Sequence, residues 1–148
     1  MMGGALNYRK KGKIEHNVRY DVAAAQKVFY SPVPKRYVLS DTTSNLYLRV
    51  DVHHDLYHHI AISSSRAAAI LKKSIDNFFT KIYPHSYMHD PLALSYVIKP
   101  DFLTFEEKSI VMKDNGEMIE SDHGKLTLVS TDAKYIKFMK FLIDRINI

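Results

Sequence analysis

The strongest periodic signal lies between residues 66 and 82, where Ala67, Ile70, Leu71, Ile75, Phe78, Phe79 and Ile82 recur at helical spacing. Side chains three and four apart share one helix face, so a long amphipathic helix is predicted, with Ser63-Ser64-Ser65 as its cap and Pro84 as its stop. A second apolar stripe, Tyr135, Phe138, Met139, Leu142, Ile143 and Ile146, predicts a C-terminal helix that packs into a core, with Asp132 as a candidate cap. Asp21 suits the N-cap of a helix over about 22–30 containing Ala23, Ala24 and Ala25, which Ser31-Pro32-Val33-Pro34 ends. A further helix over about 91–98 follows Asp90 and closes near Pro100. Tyr37-Val38-Leu39, Ile110-Val111-Met112 and Leu126-Thr127-Leu128-Val129 are short apolar runs of strand type, the last two separated by an Asn115-Gly116 turn. Helices followed by short buried strands point to an α/β sheet.

Composition narrows the function classes. A length of 148 residues, 46% hydrophobic and 25% charged, fits one globular domain with a real core. The chain has no cysteine, which excludes disulfides, thiolate catalysis and sulfur-ligated zinc. No apolar run approaches the length of a membrane span and the first residues lack a signal-peptide core, so a cytoplasmic protein with no membrane partner is expected. The Met1-Met2 start suits a chain translated as it stands. The net charge of +5 admits a nucleic-acid partner, but its densest basic run is only Arg9-Lys10-Lys11 with Lys13, and no aromatic-basic strand pattern accompanies it. A non-enzymatic nucleotide- or RNA-binding module is therefore the weaker alternative. The offsets among His53, His54, His58 and His59 could place two imidazoles on one helix face, but a metal site needs fixed partners and a closed shell, so they read as surface or partly packed side chains rather than zinc ligands.

Two polar clusters carry the candidate chemistry. In Met88-His89-Asp90-Pro91-Leu92-Ala93 an imidazole and a carboxylate stand side by side, with Asp90 suited to an N-cap and Pro91 to the first helical position. Both side chains then sit at a helix rim, where they either cap and satisfy nearby backbone or grip different parts of one ligand. Glu15-His16-Asn17 places two hydrogen-bonding groups at i and i+2, on one side of an extended segment, where they serve as caps or as partners for hydroxyl groups.

Met2-Gly3-Gly4-Ala5, Glu15-His16-Asn17, Asp21, Asp41-Thr42-Thr43 and His89-Asp90-Pro91, taken in that order, resemble the inosine-uridine preferring nucleoside hydrolase family, in its C-terminal half only. The resemblance implies an α/β fold, the C-terminal half of a mostly parallel, Rossmann-like sheet. It makes residues 1–148 a single partial domain lacking the N-terminal half, which holds the family's Asp-rich metal-binding segment. The implied reaction is hydrolysis of the N-glycosidic bond of a ribonucleoside to ribose and free base. His89 matches the histidine that protonates the leaving base. Asp90 matches a catalytic-site ligand of Ca²⁺, the family's cofactor. Glu15 and Asn17 match residues that bind ribose hydroxyls, with Asn7 a further sugar-binding candidate and Tyr83 and Tyr87 aromatics placed to cover base or ribose. Asp21 and Asp41-Thr42-Thr43 read as supports of the fold. The partners implied are a nucleoside substrate and, for a half-length chain, either a separate N-terminal half-chain or self-association. An inactive or split-enzyme subunit is the corresponding alternative to a self-sufficient enzyme.

Overall fold

The computed structural model describes residues 1–7 and 14–146, so the basic run at 9–13 lies outside the described residues. In chain order the elements are α1 (His16–Tyr20), α2 (Val22–Tyr30), β1 (Arg36–Tyr37), α3 (Ser40–Thr43), β2 (Arg49–Val50), α4 (Asp55–Ile62), α5 (Arg66–Lys81), β3 (Ser86–Tyr87), α6 (His89–Ile98), β4 (Leu103–Met112), β5 (Met118–Glu120), β6 (Lys125–Ala133) and α7 (Tyr135–Ile146), with short 3₁₀ turns at Leu46–Leu48 and Pro100–Phe102. They group into two compact units, one of residues 1–43 and 89–133, the other of residues 44–88 and 134–148.

The first unit is built on a mixed four-stranded sheet in the order β1-β6-β4-β5. β1 runs parallel to β6, Tyr37 opposite Val129, and Met2 adds a parallel bridge to Val38. β6 and β5 are antiparallel to β4. The α/β class holds, with the parallel pairing confined to the β1 side. β4 is ten residues long, well beyond Ile110-Val111-Met112. Glu106, Glu107 and Lys108 interrupt its apolar alternation, and pairing with β6 rather than burial holds that stretch in the sheet. The Asn115-Gly116 turn leads into β5, which three residues of sequence could not announce. Gly116 has φ +90, a value a side chain rarely adopts, and its N–H donates to Lys113 O at 2.8 Å. Asp132 does not cap the last helix. It lies in β6 opposite Thr104 and accepts from the Ala133 N–H at 2.7 Å.

α2 forms as its caps dictate, with Asp21 Oδ1 accepting from Ala24 N–H at 2.8 Å. The helix buries Phe29 against Tyr37, ring centroids 5.8 Å apart, in a core completed by Val18, Leu39, Ile110, Met112, Met118 and Val129. Tyr30 Oη donates to Met112 O and accepts from Met112 N–H, tying the helix to the end of β4. At the C-terminus of α2 the Lys35 and Lys125 ammonium groups both donate to Phe29 O and Ser31 O, satisfying carbonyls that the helix leaves open. Burial, and then the Lys125 charge, lower the Lys35 pKa.

Tyr37 is 2% exposed, and its buried hydroxyl has no hydrogen-bond partner among the described residues. Burial raises its pKa from the ordinary 10 to about 12. The raised value means the folded chain holds the proton more tightly than the unfolded chain. The resulting stability is complete below about pH 10 and is lost as pH climbs through about 12. Tyr37→Phe is therefore expected to match or slightly exceed wild type at pH 7, since it removes an unpaired buried hydroxyl. Near pH 12 it should exceed wild type by about 2–3 kcal/mol, because each tenfold difference in proton affinity between the folded and unfolded chain is worth about 1.4 kcal/mol. Urea denaturation of both proteins at the two pH values measures the difference, and curves that stay superimposed at high pH would refute the burial argument.

In the second unit, α4, α5 and α7 are the helices and β2 pairs antiparallel with β3. Ser65 caps α5 by accepting from Ala68 N–H, in keeping with the serine run. The α5 stripe is only partly a core: Ile75, Phe78 and Phe79 are half-buried, Ala67, Ile70, Leu71 and Ile82 are exposed, and the residue the helix buries fully is Ala68, outside the predicted stripe. Tyr57 donates to Asp76 at 2.7 Å, and Lys72 pairs with the same carboxylate at 2.5 Å. The α7 stripe is core through Phe138 and Met139, with the rest half-buried. Within the histidine-rich stretch, His54 caps α4, its Nδ1 accepting from Leu56 N–H at 3.0 Å, while His53 and His58 are exposed. Among the described residues no helix is long and apolar enough to cross a membrane.

Candidate active site

The two polar clusters both belong to the first unit, and the N-terminal segment connects them. Glu15 is 5% exposed and caps α1. Its Oε2 accepts from the N–H groups of Asn17 at 2.9 Å, Val18 at 3.2 Å and Gly4 at 3.2 Å. The segment is thus a helix start rather than an extended strand, and three amides converge on one carboxylate oxygen. Gly4 permits this approach: it has φ +78, and an added Cβ would collide with the Met118 side chain. Asn17 is exposed, and its Nδ2 donates to Met2 O at 3.4 Å. The Met2-Gly3-Gly4 segment and Glu15-His16-Asn17 therefore form one hydrogen-bonded piece.

Gly4 carries the connection onward, its carbonyl accepting from Ser40 N–H at 2.9 Å. Ser40 opens α3, so Asp41-Thr42-Thr43 forms a helical turn rather than a strand end. The turn is pinned on two sides. Asp41 accepts from Leu6 N–H at 2.9 Å and from Asn7 N–H at 2.6 Å. Thr42 Oγ1 donates to Ser130 O at 3.0 Å, and Ser130 Oγ donates to Thr42 Oγ1 and accepts from Leu39 N–H, both at 2.9 Å. Asn7 is thereby placed through its backbone beside this turn.

The last residue of the turn makes the contact that matters most for chemistry. Thr43 Oγ1, on a fully buried residue, lies 2.7 Å from His89 Nδ1. His89 is half-buried and starts α6, so the helix begins two residues before the position expected from Pro91. Asp90 is exposed in the first turn of α6 and is not its N-cap. A threonine hydroxyl that donates to Nδ1 fixes the tautomer with the proton on Nε2, whereas one that accepts from Nδ1–H serves the other tautomer or the imidazolium. Either way the ring is oriented from a buried anchor. In the sequence Thr43 reads only as a fold support. A threonine 46 residues from its partner carries no local signal of such a pairing.

Tyr83 and Tyr87 lie in the second unit. Tyr83 is 61% exposed, and Tyr87 is half-buried in β3 opposite Arg49. The His85 ring contacts both, at 6.3 Å and 5.8 Å between centroids. Among the described residues no group of three or more His, Asp or Glu side chains is arranged to hold a metal ion. Calcium takes six to eight oxygen ligands, so the described residues do not make a calcium site by themselves.

Comparison with known proteins follows the same line. A family model described as inosine-uridine preferring nucleoside hydrolase matches residues 1–140. No curated protein matches the sequence. Among solved structures, a purine-preferring ribonucleoside hydrolase from Gardnerella vaginalis is similar at TM-score 0.74 and 22% identity over 99% of this chain and 50% of that one. A plant nucleoside hydrolase is similar at TM-score 0.73 and 16% identity, covering 98% of this chain and 52% of that one. An inosine-uridine preferring nucleoside hydrolase from Bacillus anthracis is similar at TM-score 0.71 and 19% identity, covering 99% and 49%. The chain spans about half the length of these solved structures.

Proposed function

Because the chain belongs to the inosine-uridine preferring nucleoside hydrolase family, we propose that it supplies the leaving-group half of a ribonucleoside hydrolase site. In this reading the C1′–N bond of the nucleoside breaks with oxocarbenium-like charge on the ribose. Water adds at C1′ and loses a proton to solvent, and the departing base takes a proton from the His89 imidazolium, which solvent then restores. The observation that carries the proposal is the 2.7 Å contact between His89 Nδ1 and the buried Thr43 hydroxyl. With that hydroxyl accepting from Nδ1–H, the ring acts as the imidazolium: Nε2 gives up its proton and the neutral Nδ1–H ring stays held by Thr43. Asn17, exposed beside the Met2–Gly4 segment, and Glu15, through the carboxylate oxygen not given to Asn17, Val18 and Gly4, address ribose hydroxyls, with Asn7 as a further sugar contact. Tyr83 and Tyr87 are the aromatic candidates for base or ribose.

Asp90 is the oxygen ligand this chain offers to calcium in the complete fold. The remaining ligands belong to the part of the fold that the chain does not span. The proposal accordingly includes a partner, either a complementary N-terminal half-chain or a second copy, and places the protein in the cytoplasm as a single partial domain. Calorimetric titration of inosine or uridine, with Ca²⁺, into the chain assembled with such a half is expected to give saturable binding that is absent without the half. An assembled complex that takes up neither nucleoside would sink the proposal.

Thr43 is a positioning residue on this account. Thr43→Val keeps the shape and removes the hydroxyl, so kcat of the assembled enzyme should fall about tenfold to a hundredfold, as misplaced catalytic groups do, while KM stays near wild type. The alkaline limb of the pH–rate profile, where the general acid loses its proton, should move with it. An unchanged profile with unchanged kcat would show that the threonine only fills space.

A further inference from the structure

We infer that the trough between α4 and α7 binds a small organic cation, a primary ammonium group carried on an apolar ring or short chain. The trough lies wholly within the second unit, has a volume of about 480 Å³, and is lined chiefly by Tyr47, Asp55, His59, Ile136, Met139 and Ile143. Small-molecule pockets run from about 300 to 1,000 Å³. Residue spacing explains the walls. Asp55 and His59 stand one turn apart on α4, and Ile136, Met139 and Ile143 recur at helical spacing on α7, so each helix turns one face to the trough. Tyr47 adds an aromatic wall, its ring stacked on Tyr135 with centroids 6.3 Å apart. Tyr47 and Ile136 are 61% and 69% exposed. Two large apolar side chains thus stand in water beside one cavity, and a ligand that covers them gains their burial.

Charge decides the class of ligand. Besides Asp55, the trough is lined by Lys140 and Asp144, which pair with each other at 3.4 Å and cancel. Asp55 forms no ion pair among the described residues, so the trough keeps one uncompensated carboxylate. The His54 ring lines it too and adds no charge, because its Nδ1 accepts from Leu56 N–H at 3.0 Å. An ammonium group answers Asp55 while its hydrocarbon body covers Ile136, Met139 and Ile143. An anionic ligand of the same shape meets a like charge instead. None of these residues belongs to the candidate active site, so the inference is independent of the nucleoside hydrolase reading.

The test compares phenethylamine, 2-phenylethanol and phenylacetate, which share a ring and differ in charge, on the full chain labelled with ¹³C at the methionine and isoleucine methyls. Phenethylamine is expected to shift the Ile136, Met139 and Ile143 signals saturably and to leave those of Met2, Ile110 and Met112 in the first unit in place. It should bind about threefold to fivefold more tightly than the alcohol, the worth of one exposed ion pair, with phenylacetate the weakest of the three. Asp55 is exposed, so Asp55→Asn leaves the fold intact; the variant should still bind the alcohol and lose the preference for the amine. The inference is overturned if no ligand moves Ile136, Met139 and Ile143, if the alcohol or phenylacetate binds wild type as tightly as the amine, or if the preference survives in Asp55→Asn.

Discussion

Glu15→Ala is expected to destabilise the chain by about 3–5 kcal/mol, the largest loss of any single polar substitution in the first unit. One carboxylate oxygen collects the N–H groups of Gly4, Asn17 and Val18. Hydrogen bonds to a charged acceptor contribute about 1.5–3 kcal/mol each, and a lost N-cap costs about 1 kcal/mol. The three bonds are not additive, and Asn17 is exposed, so part of the loss is recovered from water. What remains is still a large share of the roughly 5–15 kcal/mol that holds a typical domain together. Glu15→Gln keeps an acceptor oxygen without the charge and should cost about 1–2 kcal/mol. Chemical denaturation of the three proteins checks the ranking. Near-identical midpoints for Glu15→Ala and wild type would mean that the cap does not organise this corner.

His89→Asn is expected to have the largest effect on turnover. A positioned general acid contributes about 10²–10⁴ in rate. Asparagine can still donate toward the Thr43 hydroxyl but carries no transferable proton near neutral pH. The assembled enzyme should therefore bind inosine about as well as wild type and release base about a hundredfold to ten-thousandfold more slowly. A nucleoside whose base departs readily without protonation should be much less affected. Equal losses on both kinds of substrate would assign His89 to binding rather than to proton transfer.

What the sequence makes legible is local. Helices over 22–30 and 66–82 and at the C-terminus follow from periodicity, caps and prolines, because those signals act within a few residues. The length of β4 is hidden because Glu106, Glu107 and Lys108 break the alternation while their backbones pair with β6. In the candidate site, the residue types are visible but their connections are not. Glu15 reaches Gly4 across 11 residues and Thr43 reaches His89 across 46. Periodicity and capping rules do not see such distances. Glu15 therefore reads as a ribose ligand by resemblance, while the structure also makes it a cap that gathers three amides. Thr43 reads as scaffold, while the structure sets its hydroxyl against the imidazole. Asp90, conversely, suits the N-cap in sequence, yet the helix starts one residue earlier, at His89.

The most direct measurement is release of reducing sugar from inosine and from uridine by this chain, in the presence of Ca²⁺ and a complementary N-terminal half, with His89→Asn run alongside. The account predicts ribose release by the wild-type assembly and at least about a hundredfold loss in the variant. Equal rates for the two proteins, or no release by an assembly that has demonstrably formed, would contradict it.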